Sequence, residues 1–136
     1  MPSKIQDLWI ILKTGTVLFS RVFKEEVDAN LFGAMMSALD TFANALSDGG
    51  LSSFNLKDRN FYVFKKKDLL FIASYSSKIK EKRALEELGE IADKFLEKYN
   101  ISINNFDGNV TDFSEFENEI ENFLLKVVNK MQESFW

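Results

Sequence analysis

The sequence FYVFKKKDLLFIA at residues 61–73 contains two apolar runs separated by a short charged turn. Residues 61–64 and 69–73 are apolar at every position, whereas a strand with one face in water alternates apolar and polar side chains. The four residues between the runs are too few for a crossover connection, so the runs must pair antiparallel. The pattern predicts a hairpin of two interior strands, each covered on both faces.

Three further strands and three helices are predicted around this hairpin. The first two strands are predicted at residues 5–12 and 17–23, joined by a turn that contains Gly15, and the third at 51–56. With these bounds the hairpin strands become the fourth, at 61–66, and the fifth, at 69–74. Apolar residues at helical spacing predict helices at residues 29–47, 80–99 and 112–132.

The order of the strands follows from which strands must be buried on both faces. The first strand contains the unbroken apolar run 8–12 and, like strands 4 and 5, must lie inside the sheet. Strands 2 and 3 are more mixed and suit the edges. Short connections pair strand 1 with 2, 3 with 4, and 4 with 5. The sequence therefore predicts an α/β (α+β) fold: a five-stranded antiparallel sheet in the order 2-1-5-4-3, with one helix on one face and two helices on the other.

Composition excludes several classes of function. The chain has 136 residues, which predicts a single domain over 1–136. It has neither cysteine nor histidine, so we expect no catalytic triad of the usual kinds, no ordinary zinc site and no cofactor. A net charge of −4 argues against nucleic acid as a partner. The residues that open the chain show no export signal or membrane span, so we expect a cytoplasmic protein. Because the usual catalytic groups are missing, we also expect that the protein is not an enzyme.

The first helix has more apolar surface than one sheet needs. Its apolar arc spans roughly 200°, where about 100° is sufficient for a helix with one buried side. Asp40 is its only charged residue. We expect the core face to consist of Leu31, Met35, Ala38, Leu39, Phe42 and Leu46. The remaining apolar flank, together with edge strand 3, is predicted to bind a partner through Phe32, Gly33, Met36, Ala43, Ser53 and Asn55. The alternative is that the curvature of the sheet or the loop after strand 2 covers Phe32 and Met36.

The turn between strands 4 and 5 carries three consecutive lysines, Lys65, Lys66 and Lys67. They are candidates for contact with an anionic surface, such as the headgroups of a membrane. The alternative is that these lysines keep a hairpin tip soluble.

The order strand, strand, helix, three strands, helix, helix resembles that of the longin domain over nearly the whole chain. The resemblance rests on the opening run Leu8-Trp9-Ile10-Ile11, the Gly15 hairpin, the apolar helix after Asp28 and the hairpin at 61–73. A strand in first position favours longin over the related roadblock domains, which begin with a helix.

The resemblance implies a non-catalytic platform that binds a longin/roadblock-like chain, as a homodimer or heterodimer, or a small GTPase, in vesicle or membrane trafficking. The alternative function is a small-molecule sensor, because a sheet rich in phenylalanine can line an apolar pocket. A large internal cavity would favour the sensor, and a filled core beside a flat apolar helix would favour the platform.

Overall fold

A computed structural model describes residues 5–22, 27–57, 59–75, 79–104 and 113–123. Its elements, in chain order, are β1 Ile5–Leu12, β2 Val17–Arg21, α1 Ala29–Leu46, β3 Ser53–Asn55, β4 Asn60–Lys66, β5 Leu69–Tyr75 and α2 Glu81–Asn104. Residues 116–123 are also helical and form the described part of the third predicted helix. The rest of the prediction at 112–132 lies outside the described residues.

The five strands form one antiparallel sheet in the order β2-β1-β5-β4-β3, which confirms the predicted order. The central pair β1 and β5 runs from Ile5 opposite Tyr75 to Leu12 opposite Leu69. β3 is shorter than predicted, with three residues against six, and among the strands that the structure describes it pairs with β4 only. α2 continues to Asn104, five residues beyond the predicted end, because Asn100 does not stop the helix.

Two tight turns lie side by side at one end of the sheet. Gly15 has a φ of +105° in the β1–β2 turn, a backbone conformation that favours glycine. Lys67 and Asp68 have φ values of 51° and 64°, so both central residues of the β4–β5 turn are left-handed, as in a type I′ hairpin turn. Lys13 joins the two turns, because its backbone N–H donates to the Asp68 carbonyl at 3.1 Å and its ammonium lies 3.3 Å from the Asp68 carboxylate.

The sheet is covered on both faces, as the interior strands require. In β5, Phe71, Ala73 and Tyr75 point toward α2, whereas Leu70 and Ile72 point toward α1. The α2 side is the larger core and includes a cluster of rings from Phe95, Tyr99, Phe113 and Phe116. One helix therefore lies on one face, and α2 with residues 113–123 lies on the other, as predicted.

Two buried tyrosines attach the start of α2 and the residues before it to the sheet. The Tyr62 hydroxyl donates to the Ile79 carbonyl at 3.0 Å, and the Tyr75 hydroxyl donates to Glu87 Oε2 at 2.7 Å. Burial, and then the neighbouring Glu87 charge, raise the pKa of Tyr75, so it remains a donor at any physiological pH. Burial also raises the pKa of Glu87, although the Tyr75 hydrogen bond and Arg83 oppose that shift.

Candidate interaction surface

Helix α1 is held against the sheet by a close backbone contact at Gly33. A methyl group added at Gly33 would collide with the Gly15 carbonyl oxygen and would lie 2.7 Å from the Val17 side chain. The Ser37 hydroxyl donates to the neighbouring Lys13 carbonyl. Asp28 caps the helix by accepting from the Leu31 backbone N–H at 3.1 Å. The first half of α1 therefore lies directly on the β1–β2 turn.

The second half of α1 is fixed by Asp40, a buried carboxylate that is 4% exposed. It forms an ion pair with Lys65 of β4. It also accepts from the Leu51 backbone N–H at 3.3 Å and from the Asn44 side-chain amide at 3.2 Å. A buried carboxylate is tolerated only when it has partners of this kind. Asp40 therefore faces the sheet although it is the one charged residue of the helix.

These contacts give α1 a different rotation about its axis from the one predicted. The buried residues are Gly33, Met36 and Asp40, and Met36 is only 4% exposed. Phe32 and Ala43 are half-buried. The predicted arrangement, in which Met36 and Gly33 lie on the free flank, is wrong, because both residues pack against the sheet of their own chain.

The face of α1 that was predicted to lie in the core is exposed to solvent, so this part of the prediction is also wrong. Met35 is 60% exposed, Phe42 64% and Leu46 72%. We call the five large exposed side chains of this face the outer strip; they are Leu31, Met35, Leu39, Phe42 and Leu46. The excess of apolar surface was predicted from the sequence, but the residues that provide it were not. The signal for the rotation is a glycine and an aspartate seven positions apart on an otherwise apolar helix.

An open groove of about 940 Å³ adjoins the outer strip and lies between α1 and the end of the sheet farthest from the two turns. Its floor is a row of aromatic rings in which Phe54 stacks on Phe61 at 4.5 Å and Trp9 stacks on Phe32 at 4.1 Å between ring centroids. Met35, Leu39 and Phe42 of the outer strip line its other side. We call it the α1–sheet groove.

One end of the α1–sheet groove is polar. Asp7, which is buried, accepts from the Ser74 hydroxyl at 2.7 Å and from Arg59 Nη1 at 3.3 Å. Arg59 is partly exposed where it lines the groove. A ligand or partner in the groove would therefore contact mostly apolar side chains, with a paired arginine at one end.

The free edge of the sheet, at β3, completes the surface. The Val63 N–H donates to the Ser52 carbonyl, and the Leu56 N–H donates to the Arg59 carbonyl. In an antiparallel ladder alternate residues direct their backbone groups to opposite sides, so Ser53 and Asn55 direct theirs away from β4. Both residues are exposed. Their predicted role in binding a partner is not tested by this arrangement and stays a prediction.

Two of the three lysines in the β4–β5 hairpin form ion pairs. Lys65 pairs with Asp40 and also donates to the Gly49 carbonyl, while Lys66 lies 2.7 Å from the Asp93 carboxylate of α2. Lys67 makes no ion pair with any residue that the structure describes. Contact of these lysines with an anionic surface remains a prediction. No described helix combines the length and the apolar character needed to cross a membrane.

The sequence matches no family model, and it matches no curated protein. Solved structures do resemble it. A structure of Myxococcus xanthus MglB superposes with a TM-score of 0.53 at 10% identity, over 69% of this chain and 85% of that one. A structure of MglB with a tetrameric arrangement gives a TM-score of 0.49 at 15% identity, over 68% of this chain and 81% of that one. At such low identity the first likeness establishes the fold alone. The chain has a longin/roadblock-like fold.

Proposed function

We propose that this protein is a non-catalytic interaction module whose partner covers the outer strip, the α1–sheet groove and the free edge of β3. The observation that supports this function is the exposure of the outer strip. Five large apolar side chains lie side by side on one helix, and no charged residue of α1 lies among them. Contiguous apolar surface of this kind marks interaction sites on soluble proteins.

The size of the surface fits a second copy of this chain. Seven large apolar residues on and beside α1 are between 40% and 72% exposed: Val27, Leu31, Met35, Leu39, Phe42, Leu46 and Leu56. At roughly 200 Å² for a large apolar side chain, they leave on the order of 800 Å² open. A standard interface buries about 800 Å² on each partner. One isologous dimer would therefore use most of this surface.

A two-fold axis perpendicular to α1 and passing through the outer strip would bring the surface onto itself. Two copies of α1 would then run antiparallel, so that their dipoles oppose each other and the outer strips interdigitate. The outward backbone groups of Ser53 and Asn55 would be available to the partner strand. The edge that β3 leaves unpaired would be covered by the same association.

The longin resemblance extends this proposal to particular partners. It implies that the second chain is a longin/roadblock-like domain or a small GTPase, in a trafficking pathway. Assignment to the longin branch in particular, and a dependence on the nucleotide state of a GTPase, stay part of the proposal. A small GTPase is the second partner to test, and it would compete with a second copy for the outer strip.

The test is sedimentation equilibrium of the wild type beside Phe42→Glu. We expect the wild type to dimerise and the substitution to weaken the dimer by at least about 100-fold, because a buried unpaired charge costs several kcal/mol. Thr41→Glu is the matched control, since it adds the same charge to the same turn of α1 on the exposed polar side. We expect Thr41→Glu to dimerise like the wild type.

A monomeric wild type at 100 µM, a concentration chosen to be well above about 1 µM affinity, would refute the second copy as partner. Equal weakening by both glutamates would show that charge on α1, and not loss of the outer strip, disrupts the association. Met36→Glu is not a suitable variant, because Met36 is buried and its substitution would unfold the monomer.

The α1–sheet groove supports a second candidate function. Its volume of about 940 Å³ lies within the usual range of ligand sites, and its floor is aromatic. It is an open groove between helix and sheet, and not an internal cavity of the kind expected for the sensor. Dodecanoate is a suitable probe: a rise in melting temperature of the wild type that Phe54→Ala abolishes would favour the small-molecule sensor, and no rise at millimolar probe would exclude this class of ligand.

A further inference from the structure

Helix α1 carries two apolar faces, and the smaller of them is turned toward the sheet. The sheet-facing side offers Phe32 and Met36 as its only large apolar residues. The outer strip offers five. Burial of apolar area alone would favour the opposite rotation. Some other interaction must therefore hold α1 in the rotation that it adopts.

The first such interaction is the contact at Gly33. Its neighbour is the Gly15 carbonyl, a backbone atom in a tight turn that cannot move aside as a side chain can. Only a residue without a Cβ fits at this position. In the alternative rotation, with the outer strip turned inward, the residue nearest the turn would carry a large side chain and α1 could not approach as closely.

The second interaction is the ion pair between Asp40 and Lys65, which lies about two helical turns further along α1. Rotation of the outer strip toward the sheet would carry Asp40 away from Lys65 and from the Leu51 N–H. The partly buried Lys65 and the Leu51 N–H would then both lose the carboxylate that they share, which is unfavourable. Gly33 and Asp40 thus both fix the rotation of α1 about its own axis, each at a different point along the helix.

We propose that Gly33 and Asp40 are positioning residues that hold α1 in the rotation presenting the outer strip to a second copy of the chain. This inference rests on the proposed function for the role of the strip, and the rotation itself is measurable without any partner. Neither residue belongs to the outer strip or lines the α1–sheet groove.

The chain has no cysteine, so single cysteine variants report the rotation directly. Met35→Cys and Met36→Cys are adjacent in sequence and lie on opposite sides of the boundary, one 60% and the other 4% exposed. In the otherwise unchanged chain we expect maleimide to label Met35→Cys at least about tenfold faster than Met36→Cys. Labelling is measured at low protein concentration, where the outer strip is not covered.

The positioning residues are then changed together, as Gly33→Ala with Asp40→Lys. The added methyl group meets the Gly15 carbonyl, and the new ammonium lies beside Lys65. We expect the labelling ratio to fall below about threefold, since Met36→Cys becomes accessible while Met35→Cys becomes protected. Self-association should weaken at least tenfold, to the extent of about 1.4 kcal/mol or more. Gly89→Ala in α2 is the matched control, because its added methyl group would lie 3.7 Å from the Phe64 ring, an ordinary contact.

Asp40→Asn provides the same measurement if the double variant does not fold. It keeps the shape of the side chain and an acceptor for the Leu51 N–H, and it removes the ion pair and the acceptor for the Asn44 side-chain amide. A lowered labelling ratio that is partly restored in Asp40→Lys with Lys65→Asp supports the proposal. A ratio unchanged from the parent chain in folded Asp40→Asn and in the folded double variant overturns it.

The two proposals fail in different ways. A wild type that stays monomeric but shows the expected labelling ratio refutes the second copy as partner and leaves the positioning role of Gly33 and Asp40 in place. If the wild type dimerises and no variant alters the labelling ratio, the proposed interaction module stands and the positioning role of Gly33 and Asp40 is refuted.

Discussion

Glu87 shows how one residue can couple stability to pH without belonging to a site. Its carboxylate accepts from the buried Tyr75 hydroxyl, and its own side chain is only 12% exposed. Burial raises the pKa of Glu87 above its ordinary value, although the hydrogen bond from Tyr75 and the charge of Arg83 oppose the shift. Ionised Glu87 therefore destabilises the folded state relative to protonated Glu87.

The sign of the resulting pH dependence follows from linkage. Because the pKa of Glu87 is higher in the folded chain, its protonated form contributes stability that is fully present below the unfolded pKa and is lost as pH rises through the folded pKa. Glu87→Gln cannot ionise and keeps an acceptor for Tyr75. We expect the free energy of unfolding of the wild type to fall relative to that of Glu87→Gln as pH rises from about 4 toward 7.

Urea denaturation at several pH values measures this difference. Glu86→Gln, at an exposed position on the same helix, controls for the loss of one carboxylate. A difference between wild type and Glu87→Gln that grows as pH falls would contradict the assigned direction of the Glu87 pKa shift.

At the scale of the elements, the strands were predictable and the rotation of α1 was not. Residues 61–73 are apolar on both faces, and only an interior position satisfies that pattern, so the order of all five strands follows from local sequence and short connections. The rotation of α1 depends on the Gly15 carbonyl and on Lys65, which are distant in sequence from Gly33 and Asp40 respectively. The spacing of apolar residues within the helix does not indicate those contacts.

The sequence therefore predicted that α1 provides the candidate site, but it did not predict which residues of α1 form it. Excess apolar surface is a property of the composition of α1 and can be counted from the sequence. The identity of the exposed face depends on which side a glycine and a buried carboxylate take, and the burial of Asp40 depends on Lys65, which is distant in sequence. An apolar pocket on the phenylalanine-rich sheet was predicted only for the alternative function, and an open groove beside α1 was not, since it depends on how far α1 covers the sheet.

The free edge of β3 yields a prediction of its own. Asn55→Pro removes a backbone N–H that points away from β4, so we expect the monomer to lose less than about 1 kcal/mol of stability. If a second copy pairs with this edge, the dimer should weaken at least about tenfold. Chemical denaturation and sedimentation measure the two effects separately.

Phe54→Pro is the matched control for this edge, one residue earlier in β3. Its backbone N–H points toward β4, so proline there should destabilise the fold by about 1–3 kcal/mol through the lost ladder hydrogen bond, beside the loss of the Phe54–Phe61 stacking. Dimerisation of Asn55→Pro with unchanged affinity would show that the partner contacts α1 and the groove without extending the sheet.

The two faces of the whole molecule are unequal. On the α2 side, aromatic and aliphatic side chains of two helical segments fill the space over the sheet. On the α1 side, eight buried residues of the described part of the chain make up the core, and the α1–sheet groove is open beside them. A chain with this asymmetry gains stability from whatever covers its α1 side.

Thermal stability should therefore depend on protein concentration. For a dimer that unfolds to two chains, we expect the melting temperature of the wild type to rise by about 3–6 °C over a hundredfold increase in concentration. Phe42→Glu should show no such dependence. Calorimetry across the concentration series decides the matter, and a melting temperature that is the same for both proteins at every concentration would count against association in solution.

Trp9 lies in the floor of the α1–sheet groove, stacked on Phe32 and 7% exposed. Indole emission depends on the polarity around the ring, and the only other tryptophan of the chain is Trp136. In a Trp136→Phe background the fluorescence spectrum would come from the groove alone. The protein thus contains its own optical reporter, which can follow filling of the groove in real time without a label.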